Sequence, residues 1–307
     1  MAGSLLHTET LRLGAAEITR IADGESVTWP LPALFAGADS TLLAEAAPLL
    51  PPGHLDPAAG TIGLSFNLCL IRTPDFTALI DAGIGAGKER PSRPAWHRRE
   101  SPLLETLAAL GVAPDGVDIV VNTHLHADHV GWNTRRENGR WVPSFPRARY
   151  VIPRVELDHL AARQAADPAT PALHGAYADS ILPVIEAGLV EPANPPCTIA
   201  PGLLLHPAPG HSPGQAIARL ETAAGVFVVL ADAVHVTLQL ARPELTSNFC
   251  ANPAQAVATR RALLEGLSAE GALVMAYHFP PPSFGQVERH GEGWRLRPVV
   301  AERREGS

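Results

Sequence analysis

The sequence predicts an α/β fold, and three observations carry that prediction. The runs "DIVVNTH" (118–124), "GVFVVLAD" (225–232) and "ALVMAYHF" (272–279) are near-continuous apolar stretches of strand length, each closing at or beside a histidine or an aspartate. Between such runs, "SPLLETLAALG" (101–111) and "NPAQAVATRRALLEGL" (252–267) have the apolar spacing of a helix, each behind a capping residue. The 30 prolines and 26 glycines lie scattered between the runs as turn punctuation, so no linker declares itself and residues 1–307 read as one domain.

Taken in order, "AEITRIADGES" (16–26) reads as a strand entering a hairpin at its Asp-Gly step. Residues 29–60 are broken by proline and predict an irregular N-terminal arm or lid over the core. "SFNLCLIRT" (65–73) and "TALIDAG" (77–83) are two strands joined by a Thr73-Pro74-Asp75 turn. The helix over 101–111 has Ser101 as its cap, Pro102 at its first position and Gly111 at its exit. Residues 118–124 follow as a buried strand, and 153–187 read as helix with breaks. "GLLLHPAPGHSPGQ" (202–215) is a strand running into a tight Gly/Pro loop, and a helix capped by Asn252 separates the last two apolar strands.

With 46% hydrophobic and 18% charged residues the chain can bury a sizeable core. A formal charge of −7, with no dense Lys/Arg run, offers no footprint for a phosphate backbone, so no nucleic-acid partner is expected. Cys69, Cys197 and Cys250 are odd in number and far apart, which reads as reduced thiols. The N-terminus lacks the marks of a signal peptide and no apolar run is long enough to span a bilayer; the expected address is the cytoplasm, with no membrane partner.

The segment "VNTHLHADHVGW" (121–132) packs His124, His126, Asp128 and His129 into six positions where a strand leaves the sheet. His211, Asp232 and His278 stand at or just beyond the ends of later apolar strands, and Asp81 at the end of "TALI". Strand ends project into the crevice beside a sheet, so these residues can converge despite their separation in sequence. A lone histidine pair would read as a polar turn, but the full series reads as a metal site. Imidazole and carboxylate suit Zn²⁺, Mn²⁺, Co²⁺ or Fe²⁺, and seven such ligands exceed one tetrahedral shell, so two divalent ions are expected.

The series HxHxDH, then His, Asp and His, behind Asp81-Ala82-Gly83, resembles the metallo-β-lactamase superfamily over nearly the whole chain. The resemblance implies a four-layer αββα sandwich with a dinuclear site at one edge of two sheets. It implies that His124, His126 and His211 hold one metal, that Asp128, His129 and His278 hold the other, and that Asp232 bridges both. Asp81 and His235 are placed behind the ligands, where Asp81 would orient one of them. A carboxylate at 232, where the β-lactamase branches have Cys or Ser, disfavours a true β-lactamase. His126, where flavodiiron proteins have Glu, favours hydrolysis over redox chemistry. The closest likeness is to the methyl parathion hydrolase-like branch with its related lactonases and arylesterases, carried by "ADAVHVTLQL" (231–240) and "AYHFPPPSFGQVERHGEGWRLRPV" (276–299). Acyl-homoserine lactonases usually carry a Tyr close after the bridging Asp, where this chain has His235.

The resulting expectation is hydrolysis of a small neutral ester, a lactone or aryl ester foremost and an organophosphate triester second, by a hydroxide held between two metals, with Asp128 as proton carrier. No GxSxG elbow or Ser-His-Asp set is present to supply another nucleophile. Trp132 and Phe279, adjoining ligands, are the candidate walls of an apolar substrate pocket, and Cys250 reads as a small buried packing residue. The branch resemblance also implies a homodimer. Two other function classes compete: a non-catalytic metal-binding member of the fold that binds a partner or ligand, and a phosphodiesterase.

Overall fold

A computed structural model of the chain describes residues 4–24, 27–36, 38–167 and 169–304. Two large sheets organise it. The first has eight strands in the spatial order Val190–Ala193, Arg149–Pro153, Ile119–Val121, Thr77–Ile80, Asn67–Arg72, Ala16–Ala22, Thr8–Leu13 and Glu302–Arg304. Its first four strands run parallel, and the rest pair antiparallel. The second has seven strands, Cys197–Ala200, Leu203–Pro207, Ala216–Thr222, Gly225–Val229, Leu273–Met275, Phe284–His290 and Gly293–Pro298, in chain order. Only Gly225–Val229 and Leu273–Met275 pair in parallel there.

Side-chain alternation along these strands builds the layers. Ile71, Ala78, Ile80, Val121 and Val151 of the first sheet meet Leu203, Leu205, Ala218, Phe227 and Met275 of the second in one buried cluster. Their neighbours face outward: Leu68, Leu79 and Val120 pack on Leu103 and Leu107 of the helix Leu103–Ala109. On the other side Val228, Leu230 and Val274 pack on Leu264 and Leu267 of the helix Pro253–Glu270. Helix, sheet, sheet, helix is the predicted αββα order. No helix among the described residues is long and apolar enough to cross a membrane, and the three cysteines form no disulfide.

Most predicted elements are present, with instructive shifts. The long helix is capped as expected, Asn252 Oδ1 accepting from the Gln255 amide at 3.1 Å. The helix after Ser101 begins at Leu103, with Pro102 in the cap position and no side-chain cap bond. The hairpin predicted at Asp23-Gly24 lies instead on the other side of the strand, where Leu13 pairs with Ala16 around Gly14; residues 25 and 26 of that reading fall outside the described residues. Asp23 has other work: its carboxylate accepts from the Ile84 and Gly85 amides at 2.7 and 3.1 Å and pairs with Arg99 at 2.8 Å.

The arm predicted over 29–60 is not irregular. It folds into a small sheet of Val27–Pro30, Thr61–Leu64 and Leu55–Asp56 with the helix Ser40–Ala46 beside it. Leu31, Leu34, Phe35, Leu43 and Ile62 form a core of their own that also takes in Val236 and Leu238, a few residues beyond Asp232. Proline breaks therefore divided this segment into short elements without preventing it from packing.

Candidate metal centre

All seven predicted ligands meet at one edge of the two sheets. Asp81 follows the strand Thr77–Ile80, and the 124–129 loop leaves Ile119–Val121. His211, Asp232 and His278 follow Leu203–Pro207, Gly225–Val229 and Leu273–Met275. The sheets are joined there, the Ala216 amide donating to the Thr123 carbonyl at 2.9 Å.

The donor atoms fall into two groups, each within 4.8 Å of one another: His124, His126, His211 and Asp232 in one, Asp128, His129 and His278 in the other. Asp232 stands between them. Its Oδ2 is 3.3 Å from His211 Nε2 and 3.4 Å from His278 Nε2, while its Oδ1 is 3.4 Å from His129 Nε2. Asp128 Oδ2 lies 3.8 Å from both His129 Nε2 and His278 Nε2.

The residues fit divalent ions on their own chemistry. His124 Nε2, His129 Nε2 and Asp232 Oδ1 are buried with no hydrogen-bond partner, a costly arrangement that coordination would repair. Burial, aided by neighbouring imidazoles, pushes His124 and His211 well below the ordinary histidine range, and His126 is lowered chiefly by burial too. Neutral imidazole is the ligating form. Burial alone would raise Asp232, but His278, His129, His235 and His211 around it hold it well below the usual carboxylate range, ionised and ready to bind a cation.

A surrounding layer fixes these groups. Asp81, at φ 58°, accepts from His129 Nδ1 at 2.9 Å and from the Thr123 amide at 2.8 Å, so His129 turns its Nε2 inward. His278 Nδ1 is 2.9 Å from the Ser65 carbonyl, which likewise turns its Nε2 inward. His235 lies where the sequence placed it, its Nε2 3.4 Å from Asp232 Oδ2 and 3.3 Å from Ser247 Oγ, and burial lowers it to about 3. Gly210, at φ 131°, lets the His211 loop pass against the helix Pro253–Glu270, where a Cβ would sit 2.3 Å from the Ala256 nitrogen.

Two positioning residues escaped the sequence reading. Glu156, almost wholly buried, accepts from Ser212 Oγ at 2.7 Å, the Gly214 amide at 2.6 Å and the Leu125 amide at 3.2 Å, tying the His211 loop to the 124–129 loop. Tyr277 stacks on His129 with centroids 3.7 Å apart and donates its hydroxyl to the Asp128 carbonyl. Nothing in the pattern "PRVEL" marks Glu156 as tied to a loop some sixty positions later. Tyr277 had a signal in its place directly before His278.

The centre opens into a cavity of about 360 Å³ that Asp128, His126, His211, Asp232 and His278 line from below. Trp29 and Leu34 of the N-terminal arm, with Leu64, Phe66, Trp96 and Phe249, form apolar walls. The predicted pocket residues Trp132 and Phe279 are not among them. The Trp132 amide donates to the Ala82 carbonyl, and its ring packs in the outer cluster beside Leu103 and Leu107. Phe279 lies beyond the strand Leu273–Met275 and packs away from the cavity, buried with Val274 and Leu264. The expected neutral pocket rested on those two residues and the Pro-rich arm; the arm does line the cavity through Trp29 and Leu34, and the cavity also carries Arg93 and Arg163. Cys250 is half-buried rather than buried, its Sγ 3.8 Å from His211 Nδ1.

The family model of the metallo-beta-lactamase superfamily matches residues 67–278, more than half of the chain, and the chain belongs to that superfamily. Solved structures share the fold. A dizinc quorum-quenching lactonase, AidC, in complex with its product N-hexanoyl-L-homoserine, superposes with a TM-score of 0.77 at 21% identity, covering 97% of this chain and 99% of the other. The hydrolase AbOPH of the β-lactamase superfamily gives 0.78 at 23%, covering 97% and 99%. A probable metal-dependent hydrolase from Staphylococcus aureus gives 0.74 at 19%, covering 94% and 100%. No curated protein sequence matches the chain significantly.

Proposed function

We propose that the chain is a hydrolase dependent on two divalent cations, zinc foremost, that opens lactones or cleaves aryl esters, with organophosphate triesters as a secondary class. The observation that carries this is the pair of donor groups meeting at Asp232 on the floor of a cavity with apolar walls. The likeness in fold to a dizinc lactonase supports it.

In this reading His124, His126 and His211 would hold one cation and Asp128, His129 and His278 the other, with Asp232 standing between the two groups. Bound there, two cations would supply Lewis acidity and a water acidic enough to serve as nucleophile near neutral pH. The chain's own residues do the rest. Asp128 turns its Oδ2 toward His129 and His278, and its carboxylate is placed to take the nucleophile's proton and carry it to the leaving group. The Tyr277 hydroxyl on the Asp128 carbonyl holds that backbone in place. Phe66, Trp96 and the arm residues Trp29 and Leu34 seat the substrate's apolar part and exclude bulk water.

The test is a panel of lactones, aryl esters, phosphotriesters and β-lactams with metal-reconstituted protein. Lactones or aryl esters turn over fastest, and His126→Ala and Asp232→Ala each lower kcat/KM by at least about 100-fold. Metal-free protein with undiminished activity, or turnover confined to β-lactams, would overturn the reading.

A further inference from the structure

Among the charged groups of the cavity, Asp128 and Asp232 belong to the metal centre. Three others remain: Arg93, Arg163 and His174. Arg93 lies in the loop after Lys88, its guanidinium 5.8 Å from the Trp96 ring centroid. Arg163 lies in the last turn of the helix Arg154–Ala166. The chain carries 31 acidic residues against 24 Lys and Arg, so carboxylate partners are plentiful. Other arginines find them: Arg90 with Asp179, Arg99 with Asp23, Arg219 with Glu270. Among the described residues neither Arg93 nor Arg163 enters an ion pair, and Arg93 Nε is buried with no hydrogen-bond partner at all.

His174 lines the same cavity as the two arginines. Its imidazole is lowered by burial first, then by Arg93 and Arg90, against Asp128, and further by Arg163. Its Nδ1 is 2.9 Å from Ser92 Oγ. Neutral, it adds no charge, so the half-buried Arg93 and the exposed Arg163 line one cavity beside aromatic walls with no carboxylate partner among the described residues. Such an arrangement is stabilised when an oxyanion joins it, since guanidinium forks match planar oxyanions and bind them with charge-assisted hydrogen bonds.

We propose that Arg93 and Arg163 form a subsite for an anionic group, so that the preferred substrate is an ester or lactone bearing an oxyanion such as a carboxylate, remote from the bond cleaved. This rests on the ester-hydrolase reading above and narrows its substrate class. The scissile group remains a neutral ester, and Phe66, Trp96 and Phe249, which line the same cavity, seat the substrate's apolar part.

Two probes of equal length decide it: mono-4-nitrophenyl glutarate, with a terminal carboxylate, and 4-nitrophenyl pentanoate, with a methyl in its place. The ratio of their kcat/KM values in metal-loaded wild type favours the glutarate, and it falls about tenfold in Arg93→Gln and in Arg163→Gln, the size of one lost charged hydrogen bond. Arg93→Lys keeps most of the ratio, and added salt lowers it. A merely structural role for the arginines lowers both substrates together and leaves the ratio where it was, which overturns the proposal. Should neither ester turn over, the aryl-ester part of the hydrolase reading fails, and calorimetric titration with 4-nitrobenzenesulfonate still decides the subsite. At least tenfold weaker binding in the double variant upholds it, and equal binding refutes it.

Discussion

Glu156 offers a test of how the centre is held together. One of its oxygens takes both Ser212 Oγ and the Gly214 amide, and the other takes the Leu125 amide. Hydrogen bonds to a charged acceptor contribute roughly 1.5 to 3 kcal/mol each, and an orphaned buried donor costs a comparable amount. Glu156→Ala removes three such bonds at a position only 4% exposed, so a loss of about 4 kcal/mol is expected, at the low end of each contribution. Glu156→Gln keeps the acceptor for Ser212 and Gly214 but turns an amide group toward the Leu125 N–H, and should cost about 1 to 2 kcal/mol. Because the bonds join the loop of His124, His126, Asp128 and His129 to the loop of His211, metal affinity should fall with stability, by about 10- to 100-fold in the alanine variant. Urea unfolding with a matched metal-competition titration measures both. If Glu156→Ala unfolds within about 1 kcal/mol of wild type and keeps its metal affinity, the carboxylate is not a tie between the loops and the reasoning fails.

Lys88 should give stability a pH dependence of unusual sign. Its side chain is fully buried beside Asp179 and the Trp141 ring, and burial, opposed by Asp179, lowers it to about 7. Between pH 7 and the usual lysine range the unfolded chain holds a proton that the folded one has released, so stability rises with pH. The effect is read from pH 7 to 9 as the difference between wild type and Lys88→Met, because His129 and His278, raised by Asp232 against burial, work in the opposite sense within this window and the buried Cys69 thiol beyond it. The urea midpoint of wild type should gain on that of Lys88→Met as the pH rises across the window. Gly210→Ala should lose at least about 3 kcal/mol and metal affinity with it, since the backbone of a capped helix blocks the added carbon at a positive φ. Gly116→Ala, with no atom within 4 Å, should melt within about 1 °C of wild type.

The seven converging side chains were legible because metal chemistry restricts which residue types serve and the fold places each at or beyond a strand end, a position the apolar runs reveal. Histidines and aspartates that close strands in sequence close them in space. The strands around them were legible for the same reason, down to the Thr73-Pro74-Asp75 turn. What failed depended on direction rather than position. Adjacency to the ligand motif suggested Trp132 and Phe279 as pocket walls, yet Trp132 sits in the short turn Gly131–Asn133 with its ring in the outer cluster, and Phe279, beyond the strand Leu273–Met275, packs into the cluster behind it. The walls, Trp29, Phe66, Trp96 and Phe249, come from segments far apart in sequence that meet only in the fold, Trp29 against Phe249 and Phe66 against Trp96. Prolines in the arm signalled broken elements correctly but said nothing of the apolar core those elements share. Glu156 was invisible because two of its partners are backbone amides and the third, Ser212 Oγ, lies 56 positions away.

If seven side chains hold two cations that the reaction needs, activity should track metal stoichiometry. Protein stripped with a chelator and titrated with Zn²⁺ should bind two equivalents per chain, with lactone or aryl-ester hydrolysis absent at the start and complete as the second site fills. Asp232→Ala should bind at most one equivalent tightly and remain inactive. Saturation at one equivalent with full activity, or full activity in the stripped protein, would contradict the account.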